Sequence, residues 1–241
     1  MIYTAMSGAK SMMQRQDVLS NNLANINTPG FRAETVAFRV APVEGPGLAT
    51  RAFSAESTPG ADLTPGVITT TGRPLDVAVM GKGWLTVQGN DGTEAYTRNG
   101  ALEVDDQGVL RTQNGLSVMG DGGPIAVPAG HSVSIAADGT ISAVPLSGAK
   151  RPISLGRLKL VNPPATDIQR SADGLFRMKN GTAEADPNLR VASGSIEGSN
   201  VNAVEAMTGM ISLARQFEMQ MKLMQTAESN ARKGTSVLAN G

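Results

Sequence analysis

Few residues in this chain could do chemistry. His131 is the one histidine, and it follows Pro128-Ala129-Gly130 with Ser132 and Ser134 close behind. An imidazole within hydrogen-bond reach of a hydroxyl could activate a nucleophile. No recognisable nucleophile setting surrounds these serines, and a lone loop histidine is most often a surface residue. Asp105-Asp106 could work as an acid/base pair; in the approach to a hairpin they read instead as a solvated turn. "GKG" at 81–83 lacks the remaining glycines and the Lys-Ser/Thr of a phosphate loop. Trp84 and Tyr96 could form a sugar-stacking platform, although a single tryptophan in a small β core is more commonly buried. There is no cysteine, which removes disulfides, thiolate catalysis and cysteine-ligated metals. No histidine or acidic spacing suits a metal. The expectation is therefore no enzyme, no cofactor and no metal site. A glycan-binding module built on Trp84 and a hydrolase built on His131 stand as lesser alternatives.

The bulk composition agrees. The 241 residues carry 21 basic and 21 acidic side chains, so the net charge is zero. This leaves no electrostatic footprint for nucleic acid or an anionic membrane. No run of about 18 apolar residues could cross a bilayer. The opening "MIYTAMSGAKSMMQRQD" lacks the basic start and apolar block of a Sec signal peptide. The protein is expected either to stay inside or to be exported without a cleaved leader.

Both ends of the chain carry an apolar seam. Ile2, Ala5, Ala9, Met12, Gln16, Leu19, Leu23 and Ile26 alternate by three and four residues, the spacing of a coiled-coil-like helix. This predicts a helix over 4–26, ending near Asn27 because Thr28 precedes Pro29. From Asn202 onward, Ala203, Ala206, Met210, Leu213, Phe217, Gln220, Met224, Ala227 and Ala231 repeat the pattern. Val204, Met207, Ile211, Ala214 and Met221 widen that stripe onto an adjacent track. Asn202 can cap the helix, with Glu205 at capping-box spacing, and Gly234 can close it. The two seams could pair with each other, but the C-terminal stripe is wider than one partner covers. The surplus points to association between chains. Seams left unsatisfied in the monomer would leave both ends poorly ordered before assembly. Gly8 and Gly209 sit inside these helices, either to permit close backbone approach or merely tolerated.

The middle of the chain is different. Asp91-Gly92, Asn99-Gly100, Asn114-Gly115, Asp121-Gly122, Asp138-Gly139, Asp173-Gly174 and Asn180-Gly181 are turn dipeptides, with Gln107-Gly108 between the second and third. Each favours the positive backbone angles of tight hairpins. Short strand-like pieces lie between them. The fold class is therefore α+β: an antiparallel all-β central domain flanked by long amphipathic N- and C-terminal helices. The expected organisation is a terminal helical domain (1–27 and 199–234), an extended connector (28–61) and a β-rich outer domain (62–198). Thr-Pro-Gly occurs at 28–30, 58–60 and 64–66, and the connector reads as mostly extended chain with little core of its own. Asn21, Asn22 and Asn25 fall off the apolar line; neutral amides suit a face packed against another subunit.

Three blocks then carry a resemblance. "NNLANINTPGF" at 21–31, the block at 73–120 and "GSIEGSNVNAVEAMTGMISLARQFEMQMKLMQ" at 194–225 are similar, in order, to the signatures of flagellar rod and hook axial proteins. The matching motif residues are Asn21, Asn22, Leu23, Ala24, Asn25, Pro29, Gly30 and Phe31, and Ser199, Asn200, Val201 and Asn202. Within that family the chain most resembles the proximal-rod members, with the distal-rod members as the alternative. The resemblance implies an axial component of the bacterial flagellar basal body, periplasmic, with no enzymatic activity or cofactor. Its terminal helices would pack together in the assembled rod around the export channel, with the β domain outside, and would transmit torque. The partners implied are other rod subunits, copies of itself, the flagellar type III export apparatus and an export chaperone, with no nucleic acid and no membrane insertion. The residues expected at the assembly interface are Ile2, Met12, Leu19, Leu23 and Ile26, and Val204, Met207, Met210, Ile211, Leu213, Phe217, Met221 and Met224.

Overall fold

The computed structural model describes residues 2–42, 52–56, 60–147 and 151–239. The chain divides into two compact units. One comprises residues 1–24, 34–60 and 202–241; the other comprises 25–33 and 61–201.

The first unit is built on helix α1 (Ile2–Ala24) and helix α2 (Ala203–Ala239). At 1.5 Å per residue they are about 35 Å and about 55 Å long. They run antiparallel. Gly209 lies under Leu19, and Gly8 faces Gln220. Both pairs fit one antiparallel register. The α2 start follows the capping rule: Asn202 Oδ1 accepts the Val204 and Glu205 N–H groups at 3.0 and 3.3 Å. Its end departs from expectation, because the helix runs through Gly234 to Ala239.

The α1 end also differs from the expected 4–26. The helix stops at Ala24, and the Thr28 N–H and hydroxyl turn back onto the carbonyl and side-chain oxygens of Asn25, each at 3.1 Å. Two local bonds to one asparagine out-compete continuation of the helix. The connector is likewise not simply extended. Strands Phe38–Pro42 and Ala52–Glu56 pair as an antiparallel hairpin beside α1.

The second unit is antiparallel β structure. A five-stranded sheet runs in the order 160–161, 84–88, 94–97, 176–178, 168–170, and a three-stranded sheet comprises 131–135, 140–145 and 153–157. The unit's beginning is joined to its end: Val77–Val79 pairs with Val191–Ser193, and Ile68–Thr70 with Ser195–Glu197. Val77, Leu85, Val87, Leu102, Leu110, Val118, Ile141 and Leu160 fill the main core; Trp84, Tyr96, Val161 and Phe176 form a second one.

Most of the turn dipeptides do what their chemistry predicts. Gly92, Gly108, Gly115, Gly139, Gly174 and Gly181 all have positive φ. Two do not. At Asp121-Gly122 the positive angle falls one residue later, on Gly123. Gly100 is needed for a different reason: a Cβ there would lie 1.7 Å from the Val77 carbonyl oxygen.

Candidate functional site

In the helical unit, the 3-4 seam of α2 from Ala203 to Met224 is half-buried or buried within the chain; the side chains of Ala227 and Ala231 lie outside those described. Ala206 and Leu213 are buried, and Ala203, Met210, Phe217, Gln220 and Met224 are half-buried. On α1, Met12, Leu19 and Leu23 are half-buried. The side chain of Ile2 lies outside those described. Ile26 does not belong to this seam, because it follows the end of α1 and sits in the turn of the second unit.

The adjacent track of α2 has a different fate. Val204 is 70% exposed, Met207 52%, Ile211 56% and Met221 39%. Met219 and Leu223 are exposed on the opposite flank, as are Met6 and Met13 on α1. Among the described residues of this unit, α1 therefore covers one track of α2 and leaves a second apolar track in water, interrupted by the exposed Glu218 before Met221.

Of the asparagines of the first signature, Asn22 is buried and bonded locally, which corrects the reading of it as a flank facing another subunit; Asn21 is exposed and Asn25 half-buried. Asn22 is 6% exposed; its Oδ1 accepts the Glu34 N–H at 2.7 Å and its Nδ2 donates to the Glu34 carbonyl at 3.0 Å. The Asn21 Nδ2 donates to Glu34 Oε1 at 3.3 Å. Asn25 builds the turn described above. Ala24 is exposed, and Pro29 is half-buried.

The rest of that signature enters the β-rich unit. Gly30 is buried at φ +69°, its N–H donates to the Glu197 carbonyl at 2.8 Å, and a Cβ would meet Arg98 backbone at 2.1 Å. Phe31 lies under the Arg170 guanidinium, 4.7 Å from the ring centroid. The second signature arrives from the other end. Ser199 Oγ accepts the Val201 N–H at 3.2 Å. Asn200 Oδ1 accepts the Ala33 N–H at 2.7 Å, while its Nδ2 donates to the Asp62 and Thr64 carbonyls, each at 3.0 Å. Val201 is half-buried.

At the centre lies a buried charge cluster that the motifs did not reveal. Glu197 faces Arg32 Nη2 at 2.6 Å through Oε1 and Arg98 Nη1 at 2.8 Å through Oε2; all three side chains are at most 1% exposed. Glu197 Oε1 also accepts the Gly66 N–H at 2.8 Å. Arg98 donates further to the carbonyls of Val79, at 2.6 Å, and Gly81. Both guanidinium groups lie over Trp84, 5.8 and 5.7 Å from its centroid. Burial pushes Arg98 down to about 10; the Glu197 charge opposes this and the Arg32 charge adds to it. Two cations share one carboxylate, and Arg32 Nε and Nη1 have no hydrogen-bond partner among the described residues. Such a cluster is costly to desolvate and more costly to break. The one advance signal was the repeated Thr-Pro-Gly, since Gly30 and Gly66 both donate to Glu197.

The other candidates for chemistry are placed as follows. Trp84 is 4% exposed and tilted against Phe176 at 4.5 Å between centroids, so its face is closed to a sugar. Tyr96 is 1% exposed, its hydroxyl donating to Glu94 at 2.8 Å and accepting from the Ala183 N–H at 2.7 Å. His131 Nδ1 lies 3.0 Å from the Ala129 carbonyl, and Ser132 Oγ donates to the Val144 carbonyl at 3.3 Å. Asp105 accepts the Gln107 and Val109 N–H groups at 2.9 and 2.7 Å, in a turn.

Comparison with known proteins places this geometry. Residues 2–32 match the flagella basal body rod protein family, 78–143 the D1 domain of flagellar hook proteins FlgE/F/G, and 192–237 the C-terminal region of flagellar basal body rod FlgEFG proteins. Arg32, Arg98 and Glu197 each come from a different one of these segments. The chain is 51% identical to flagellar basal-body rod protein FlgF of Escherichia coli (strain K12), over 99% of this chain and 98% of that one. It is 49% identical to the Salmonella typhimurium FlgF, with the same coverage, and 32% identical to Bacillus subtilis FlgG over 94% of each chain. With apolar tracks on its terminal helices, a β-rich unit tied to both signatures and this full-length similarity, the chain belongs to the FlgF family of flagellar basal-body rod proteins.

Proposed function

We propose that this structural rod subunit joins the proximal rod through the exposed track of α2, with Val204, Met207, Ile211 and Met221 packed against helices of neighbouring subunits. One observation supports this above the others. A single helix carries two apolar tracks, of which the intrachain partner covers one. Fully burying a valine, isoleucine or methionine contributes about 1.5–3 kcal/mol; with 39–70% of each still exposed, the four on this track offer a neighbouring helix roughly half of that apiece. Met207 and Met221 suit an interface that must adapt, because methionine fills irregular gaps.

In this reading the half-buried seam residues Met12, Leu19, Leu23, Met210, Leu213, Phe217 and Met224 hold the helix pair that presents the track. The helices form the inner layer of the periplasmic axial shaft and surround the export channel, the β-rich unit lies outside, and torque passes through helix contacts. The partners are copies of the chain, the distal-rod protein and the small proximal-rod proteins, with delivery by the type III export apparatus.

The sequence contains no cysteine, so a single Ile211→Cys variant gives a unique thiol. In assembled basal bodies, a short bismaleimide cross-linker is expected to join this thiol to a cysteine introduced on a neighbouring rod subunit's helix. A thiol that labels as freely in basal bodies as in the purified chain, and never cross-links, would contradict the assignment.

A further inference from the structure

The chain leaves or enters the β-rich unit four times, at 24/25, 33/34, 60/61 and 201/202. The segments beside three of these passages converge inside that unit. Asn200 accepts from Ala33 N–H and donates to the Asp62 and Thr64 carbonyls. The Asp62 N–H donates to the Ala33 carbonyl at 2.8 Å, and the Asn200 N–H to the Phe31 carbonyl at 3.3 Å. Three residues earlier, Glu197 takes the Gly30 N–H on its backbone carbonyl and the Gly66 N–H on its side chain. Gly66 packs so closely there that a Cβ would lie 2.1 Å from the Gly198 carbonyl oxygen.

We propose that Asn200 and Glu197 are the two pins of a single clasp, so that residues 25–33, 62–66 and 197–200 hold or release as one cooperative unit. Three physical features support this. Asn200 uses its acceptor and both its donors on two other segments, so no single strand can leave without breaking bonds of the others, those to Ala33 and Asp62 part-buried. Glu197 is shared in the same way by Arg32, Arg98 and Gly66. Neither Gly30 nor Gly66 bonds to Asn200, yet both rest on the residue three positions before it. Closed, the clasp gives each passage a fixed exit from the β-rich unit. Open, it turns those passages into linkers while the five-stranded sheet, which uses other strands, stays paired. Local opening of this kind is the usual unit of sub-global unfolding.

Amide hydrogen exchange on the full chain tests this with two variants. Asn200→Ala removes all the side-chain bonds; Asn200→Asp keeps an acceptor for Ala33 and removes the donors to Asp62 and Thr64. In both variants the Gly30 and Gly66 amides are expected to exchange about tenfold faster or more, the scale of one lost hydrogen bond. Amides of strands Trp84–Gln88 and Glu94–Thr97 should keep their protection. Acceleration confined to Ala33 in Asn200→Ala, with Gly30 and Gly66 at parental rates, would overturn the clasp. So would loss of protection throughout the sheet in both variants, because the segments would then have no release of their own.

Discussion

Asn22, near the end of α1, holds Glu34 by both of its backbone groups. Its amide takes the N–H at 2.7 Å and gives to the carbonyl at 3.0 Å, as a neighbouring strand would. Asn22 thus fastens the backbone of the returning chain to α1. Asn22→Leu should destabilise the protein by about 1–3 kcal/mol, the cost of leaving two backbone groups unpaired. Asn22→Asp keeps the acceptor and should cost less. Urea midpoints at constant slope would check both; equal losses would deny the acceptor any part.

The Arg32–Glu197–Arg98 cluster predicts an order of harm. Glu197→Gln leaves two buried cations without a counter-charge and should cost about 3–5 kcal/mol. Arg32→Met removes the excess cation and leaves the Arg98–Glu197 pair neutral, so it should cost clearly less. Denaturant titration would decide, and the reverse order would show that Arg32, not Glu197, carries the cluster.

Alkaline stability should depend on Tyr96. Burial pushes its phenol up to about 12, reinforced by Glu94 and opposed by the Ala183 N–H. The folded state holds this proton more tightly than the unfolded chain, whose phenol titrates near about 10. The contribution is therefore full below pH 10 and is lost as pH rises through 12. Tyr96→Phe should flatten that loss. With only two tyrosines in the chain, tyrosinate absorbance should show one late step that disappears in the variant.

The two helix glycines separate the readings that sequence left open. A Cβ on Gly8 would make ordinary contact with Gln220 at 3.6 Å, whereas on Gly209 it would press Leu19 Cδ1 at 3.1 Å. Gly8→Ala should stabilise the helix pair by about 1 kcal/mol. Gly209→Ala should gain less, because Leu19 must shift to make room. Thermal melts followed by circular dichroism would show the difference; equal gains would mean that Gly209 serves no close approach.

Legibility in the sequence followed the range of each interaction. The seam of α2 and its cap were readable because helical period and Asn202 act within a few residues. Gly92 and Gly139 were readable because their turns need only their own backbone angle. Gly100 misled because its reason, the Val77 carbonyl, lies 23 residues away. The connector hairpin was missed because prolines and glycines around it signal breaks more strongly than its strands signal pairing. Asn22 was misassigned because its partner is Glu34, beyond the end of the helix. The Arg32–Glu197 pair spans most of the chain, and no local pattern announces it.

The central claim is that the uncovered track of α2 is made for neighbouring subunits. Its most direct test is Ile211→Asp, followed by fractionation of basal bodies. Ile211 is 56% exposed in the subunit, so the purified variant should keep the parental helical signal and melting temperature. It is predicted to be missing from rods. A variant recovered in basal bodies at the parental level would contradict the claim.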